Sequence, residues 1–145
     1  MPIADELLVE TSRTFAMAVP LLPEPTRRST CLAYLLFRIS DTFEDASWPR
    51  DERRRALLDW SELLERPALG ATRAFSEHWR ENPPTDHPGY LHLLASISEV
   101  LEDVQRMEEG ARSIVLSHAR RTSLGMANFL SRAEEDGHLH MRDLN

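Results

Sequence analysis

Four polar side chains, Tyr34, Arg38, Asp41 and Asp45, recur at spacings of four, three and four inside the apolar run Cys31-Leu-Ala-Tyr-Leu-Leu-Phe-Arg-Ile-Ser-Asp-Thr-Phe-Glu-Asp45. At about 100° per residue they fall within an arc of roughly 60° on one helix face, with Glu44 just beside it. A helix that is apolar on its remaining sides is one buried among other helices. Burying a carboxylate without a partner is costly, so the stripe must face water, counter-charge or a metal. Asp41, Glu44 and Asp45 also sit at the C-terminal end of the helix, where the macrodipole is negative and disfavours acids. A bound cation would make sense of three acids there. Mg²⁺ prefers oxygen ligands, commonly one or two carboxylates together with substrate phosphates. An aspartate pair at i and i+4 presents such ligands from one face. Arg38, and Arg13 from the first segment, carry forked donors that match phosphate oxygens. The combination suits a Mg-diphosphate site in an apolar cavity. The plainer alternative is an exposed helix end paired with Arg50 or Arg53.

The elements that must position this stripe are helical. Strand signals are nearly absent, and the nine prolines cluster in loops. The pattern predicts a first helix over 5–19, ended by Pro20 and the Pro23-Glu-Pro25 turn. The central helix follows over 25–45, with Pro25 at its first position. Ala46-Ser-Trp-Pro49 is a break. An amphipathic helix over 51–65 sets Leu57, Leu58, Trp60, Leu63 and Leu64 against a solvated Arg53-Arg54-Arg55 face. A further helix covers 69–81, and the loop Asn82-Pro-Pro-Thr-Asp-His-Pro-Gly89 follows it. Helical periodicity returns over 90–133 as two helices meeting near 105–110. Gly125 lies inside the second of these, where close packing or room for a ligand would account for it. The tail, 137–145, reads as a loop and the first turn of another helix, so the chain looks cut rather than finished.

At 145 residues the chain is one domain or part of a larger one, and 41% hydrophobic residues suffice for a core. A net charge of −7 argues against a nucleic-acid partner. All 17 basic residues are arginine, which excludes a Schiff-base lysine and a P-loop lysine within the chain. The single cysteine, Cys31, falls in the apolar helix and reads as a small buried hydrophobe. With no partner for a disulfide, the chain suits a reducing cytoplasm. The start, with Asp5 and Glu6, does not read as a signal peptide, and no apolar stretch is long enough to span a membrane. Peripheral membrane contact stays open. His138 and His140 lack helical ligand spacing, and no G-x-S-x-G is present for a serine triad. Trp48, Trp60 and Trp79 read as core residues.

Ser12-Arg-Thr-Phe15, then Leu21-Leu-Pro-Glu24, then Ala33-Tyr-Leu-Leu-Phe-Arg-Ile-Ser-Asp-Thr-Phe-Glu-Asp45 closely resemble the squalene/phytoene synthase family. Arg120-Arg-Thr-Ser-Leu-Gly-Met-Ala-Asn-Phe129 is similar to a later stretch of the same family. The resemblance implies an all-α isoprenoid-synthase-type helical bundle around a central apolar cavity. It further implies a prenyltransferase that joins two farnesyl or geranylgeranyl diphosphates head to head. Mg²⁺ assists loss of one diphosphate, and a cyclopropyl diphosphate intermediate forms and rearranges. Squalene formation then takes a hydride from NADPH, whereas phytoene-type products lose a proton. Carried over by position, Asp41 and Asp45 would hold Mg²⁺ with Glu44 in support. Arg38 and Tyr34 would line the diphosphate pocket. Ser12, Arg13, Thr14 and Phe15 would touch the diphosphate and first isoprene unit. The Asp-Thr-Phe-Glu-Asp wording is closer to the squalene-type members.

Family enzymes also carry a second aspartate-rich motif on a later helix, and a cavity tyrosine soon after the point where this sequence stops. Residues 1–145 are therefore expected to be the N-terminal part of one such domain, inactive alone, with uncovered apolar surface. Two rival readings stand beside this one. A class I terpene cyclase-like enzyme would use similar Mg-diphosphate chemistry on one substrate. A non-catalytic helical module would bind a partner or lipid.

Overall fold

The computed structural model describes residues 2–67 and 69–135, the side chains of Pro2, Arg13, Leu69, Gly70 and residues 133–135 excepted. The described residues form α1 (Pro2–Thr11), α2 (Arg13–Ala18), a 3-10 turn (Val19–Leu21), α3 (Thr26–Glu44), α4 (Arg50–Glu65), α5 (Leu69–Glu81), α6 (Pro88–Ala95), α7 (Ile97–Gln105) and α8 (Glu109–Glu135). No strand occurs among them, and the all-α expectation holds.

The central helix is α3. Its Leu32, Leu35, Leu36, Ile39 and Phe43 are fully buried. The helix packs against α8 and α4, and also against α1, α6 and α7. Burying a leucine or phenylalanine side chain stabilises the fold by about 1.5–3 kcal/mol, so this helix is the main hydrophobic anchor. The longest helix, α8, lies along α4. Ala119, Ser123 and Ala127 repeat at i+4 on its buried face, and such small residues let two backbones approach closely. Ser123 Oγ uses that closeness to donate 2.7 Å to the Leu57 carbonyl of α4. Gly125 is on the outer side: a Cβ there would meet nothing within 4 Å, so close packing is not what keeps it.

An aromatic cluster holds the C-terminal end of α3. Phe43 lies 4.9 Å from Trp79, 5.7 Å from Phe75 and 6.3 Å from Trp48 between ring centroids. Trp48 in turn stacks on Trp79 at 4.5 Å. Two helix positions from Phe43 is about 200° of rotation, which turns Asp41 and Asp45 to the face away from this cluster.

Three boundaries differ from the periodicity. The helix expected over 5–19 is two, because Ser12 adopts extended backbone (φ −160°, ψ 106°) and its side chain accepts from Phe15 N as the N-cap of α2. Pro25 is the N-cap of α3 and not its first residue. The segment 90–133 holds three helices: α6 and α7 are separated at Ser96, whose φ of −102° and ψ of 10° break the helix with no glycine or proline. The arginine run on α4 also does more than meet solvent, since Arg53 Nη1 donates 2.9 Å to the Glu44 carbonyl. It supplies, from the next helix, the cation that the last turn of α3 lacks.

Candidate active site

The stripe expected on α3 exists and is a shallow polar seam. Arg38 Nη1 donates 2.6 Å to Asp41 Oδ2, with the two side chains 23% and 20% exposed. One turn on, Asp41, Glu44 and Asp45 can bring one carboxylate oxygen each within 4.8 Å of one another. Asp41 and Glu44 are half-buried and Asp45 is exposed.

The surroundings of Asp41 and Glu44 disfavour their charged forms. Burial, then the Asp45 carboxylate, pushes Asp41 above its ordinary 3.8, against the lowering pull of Arg38. Burial pushes Glu44 above its ordinary 4.5, followed by repulsion from Asp45 and Asp41, with Arg53 opposing. Three clustered carboxylates, two half-buried and one exposed, with Arg38 beside Asp41 and Arg53 beside Glu44, form a donor set of hard oxygens, the chemistry that Mg²⁺ takes. The residues fit that ion.

Tyr34 lies two turns before Asp41. Its ring stacks on Phe15 of α2 with centroids 4.4 Å apart and planes at 22°. Its hydroxyl donates over 3.5 Å to the Thr11 carbonyl. The break between α1 and α2 therefore rests on Tyr34. Ser12 is close by in sequence, and its hydroxyl oxygen is engaged as the cap, 3.2 Å from Phe15 N. Thr14 is exposed, Phe15 is 38% exposed, and the Arg13 side chain lies outside the described residues. The structure thus joins Tyr34 with Phe15 at one end of the seam, and Arg38 with the acids at the other.

Tyr90, His87 and Thr11 contribute without being visible in the motifs. Tyr90, at the start of α6, accepts a hydrogen bond at its hydroxyl from Arg38 Nη2. The Arg38 Cζ lies 4.3 Å from the Tyr90 ring centroid, a cation–π contact. His87 stacks on Tyr90 at 4.0 Å and 17°. Its Nδ1 accepts from Gly89 N at 3.1 Å and Tyr90 N at 3.4 Å, capping α6. The Pro-Gly-Tyr wording marks a helix start but not a partner for Arg38. Thr11, which receives the Tyr34 hydroxyl through its backbone, carries no side-chain signal at all. A separate grouping, Glu6, Glu10 and His92, joins α1 to α6. There His92 Nδ1 and Glu10 Oε2 meet at 2.6 Å as a half-exposed pair. The sequence-stretch 136–145, with His138, His140 and the tail resembling the approach to a further helix, lies outside the described residues.

Comparison with known proteins identifies the family of the chain. The squalene/phytoene synthase family model matches residues 8–135, which include every residue of the seam. Squalene synthase of Schizosaccharomyces pombe is 28% identical over 132 residues, covering 90% of this chain and 26% of the yeast protein. Lycopaoctaene synthase of Botryococcus braunii is 28% identical over 127 residues, 86% of this chain and 26% of its own length. Human squalene synthase is 27% identical over 128 residues, 86% of this chain and 27% of its own length. The chain spans about a quarter of the length of these curated relatives. With a family match over most of its length and an all-helical structure that assembles the matched motifs, the chain belongs to the squalene/phytoene synthase family.

Proposed function

We propose that the α3 seam binds the diphosphate of a farnesyl or geranylgeranyl substrate, with Asp41, Glu44 and Asp45 holding Mg²⁺. The single observation carrying this reading is the convergence of those three carboxylates within 4.8 Å, one turn from Arg38. Mg²⁺, when bound, neutralises charge on the departing diphosphate. Arg38, whose Nη1 rests on Asp41, would orient the same group, its forked donors matching a phosphate oxygen once Asp41 had another partner. Arg13 has the chemistry for a second phosphate contact. Phe15 and Tyr34 cover one face of each other, so their outer faces would be the π-density offered to an allylic carbon that becomes positive. Ser12 and Thr14 stand on the same segment to contact the diphosphate or first isoprene unit.

The reaction proposed for the whole protein is head-to-head condensation of two prenyl diphosphates to squalene or a phytoene-type product. NADPH would serve as hydride donor only in the squalene case. Ionisation requires charge to be neutralised on both sides of the leaving group, so turnover is proposed to need acidic residues beyond this cluster. A cytoplasmic setting suits the lone buried Cys31. Peripheral contact with a membrane is supported by Val9, Met17 and Leu21, which are 60%, 78% and 83% exposed. No described helix is long and apolar enough to cross one.

The test is binding of a non-ionising farnesyl diphosphate analogue with and without Mg²⁺. Mg-dependent binding that is lost in Asp41→Ala and Asp45→Ala supports the reading. Binding indifferent to both the metal and the substitutions would leave a non-catalytic helical module in its place.

A further inference from the structure

Arg38 is held from two directions. Asp41, on its own helix, takes Nη1; Tyr90, 52 residues later on α6, takes Nη2 and lies under the guanidinium carbon. Arg38 Nε is buried without a hydrogen-bond partner, so these two contacts carry the orientation of the group. They differ in kind. Asp41 is a candidate metal ligand, and its hold on Arg38 weakens if a cation draws the carboxylate away. Tyr90 is no ligand for a metal in the seam, and its hold does not depend on one.

Tyr90 is itself well anchored. It occupies the first turn of α6, its ring is stacked against His87, and its backbone N–H is bonded to the His87 ring. Next to it, Gly89 brings α6 against the α1 backbone: an added Cβ would stand 2.5 Å from the Glu10 carbonyl oxygen. The phenol is therefore held at the start of α6 by its ring and its backbone, and α6 itself lies close against α1. A side chain of this rigidity is suited to holding a long arginine in one rotamer.

We propose that Tyr90 is a positioning residue: its hydroxyl and ring face keep the Arg38 guanidinium in the seam while the Nη1 edge passes from Asp41 to a diphosphate oxygen. The proposal rests on the Mg-diphosphate reading for its consequence, but the hold on Arg38 is measurable without it. Loss of the hydroxyl alone removes one hydrogen bond to a charged group. Loss of the ring removes the cation–π contact as well, and with it the restriction on guanidinium rotation.

The experiment uses the full 145-residue chain as wild type, Tyr90→Phe and Tyr90→Leu. The first readout is rotation of the Arg38 guanidinium by nitrogen-15 NMR, its signal identified by its disappearance in Arg38→Ala. The second is calorimetric affinity for inorganic pyrophosphate in the presence of Mg²⁺. Tyr90→Phe is expected to weaken affinity about three- to tenfold. Tyr90→Leu should lose about tenfold or more and free the guanidinium to rotate. In an Arg38→Ala background neither substitution should change affinity further. Wild-type rotation in Tyr90→Leu, together with wild-type affinity, would overturn the proposal. If the wild type itself fails to bind pyrophosphate, the functional reading falls. The rotation data then decide the positioning claim alone, with faster rotation upholding it and unchanged rotation overturning it. Should Tyr90→Leu not fold, Tyr90→Phe carries the same comparison with the ring retained.

Discussion

Arg38 and Asp41, three residues apart on α3, meet at 2.6 Å while each remains about one-fifth exposed. The pair is neither a surface ornament nor a sealed core bridge. A bridge open to solvent on one side can be exchanged for other partners at modest cost, whereas a sealed one leaves a stranded charge when opened. Under the proposed reading, that intermediate exposure would let the pair be traded for metal and phosphate.

The acids themselves predict a pH signature. Asp41 and Glu44 both have folded-state values raised above 3.8 and 4.5, mainly by burial. The folded state then binds more protons than the unfolded state just above those values. Their contribution to stability is full below the ordinary values and is lost as pH rises through the raised ones. Glu44→Gln, which cannot ionise, isolates the effect. Denaturant unfolding should show wild type losing stability relative to Glu44→Gln as pH rises from about 4 towards neutrality. A difference independent of pH would contradict the assignment.

The aromatic anchor behind the seam predicts a stability loss. Phe43 is fully buried and touches three other aromatic rings. Phe43→Ala should destabilise the fold by about 3–5 kcal/mol, read by urea unfolding. Because Asp41 and Asp45 hang from the same helical turn, the proposed Mg²⁺ binding should also weaken in any folded fraction. A loss below about 1 kcal/mol would mean that the cluster collapses around the missing ring.

Close approach at Gly89 is a separate expectation. A methyl group there would be 2.5 Å from the Glu10 carbonyl oxygen and 3.1 Å from its carbon, so α1 or α6 must move. Gly89→Ala should cost about 1–3 kcal/mol. It should also slow no local step of α8, which lies elsewhere; hydrogen exchange would show protection falling in α1 and α6 first.

Cys31 should be inert in the folded chain. Burial, aided by Asp5, pushes its thiol up to about 11, and the residue is 1% exposed. The neutral thiol is a poor nucleophile. Iodoacetamide at pH 8 should leave Cys31 unmodified until denaturant is added, as followed by intact-protein mass. Rapid native labelling would show that the α1–α3 contact opens readily.

The seam on α3 was legible in the sequence because its members lie on one helix, where spacing alone fixes direction. Tyr34, Arg38, Asp41 and Asp45 needed no tertiary information. The burial of Cys31 followed from its place in the apolar helix, and that of the three tryptophans from residue type. What failed to show was what depends on distant partners. Tyr90 reaches Arg38 only because α6 folds back along α3, and a lone tyrosine after Pro-Gly carries no sign of that. Arg53 read both as part of a solvated face and as a partner for the acids ending α3; it does reach that end, but through the Glu44 backbone carbonyl, which sequence does not mark. The break at Ser96 was invisible since neither glycine nor proline marks it. The break at Ser12 did carry a signal, a serine at a helix start, which the apolar periodicity on either side concealed.

Thermal unfolding with Mg²⁺ and inorganic pyrophosphate tests the central claim most directly. The wild type should gain stability that grows with ligand concentration, as any ligand confined to the folded state requires. The Asp41→Asn, Asp45→Asn double variant, still folded, should gain none. An equal rise in that variant would contradict the assignment of these carboxylates as the metal-binding group.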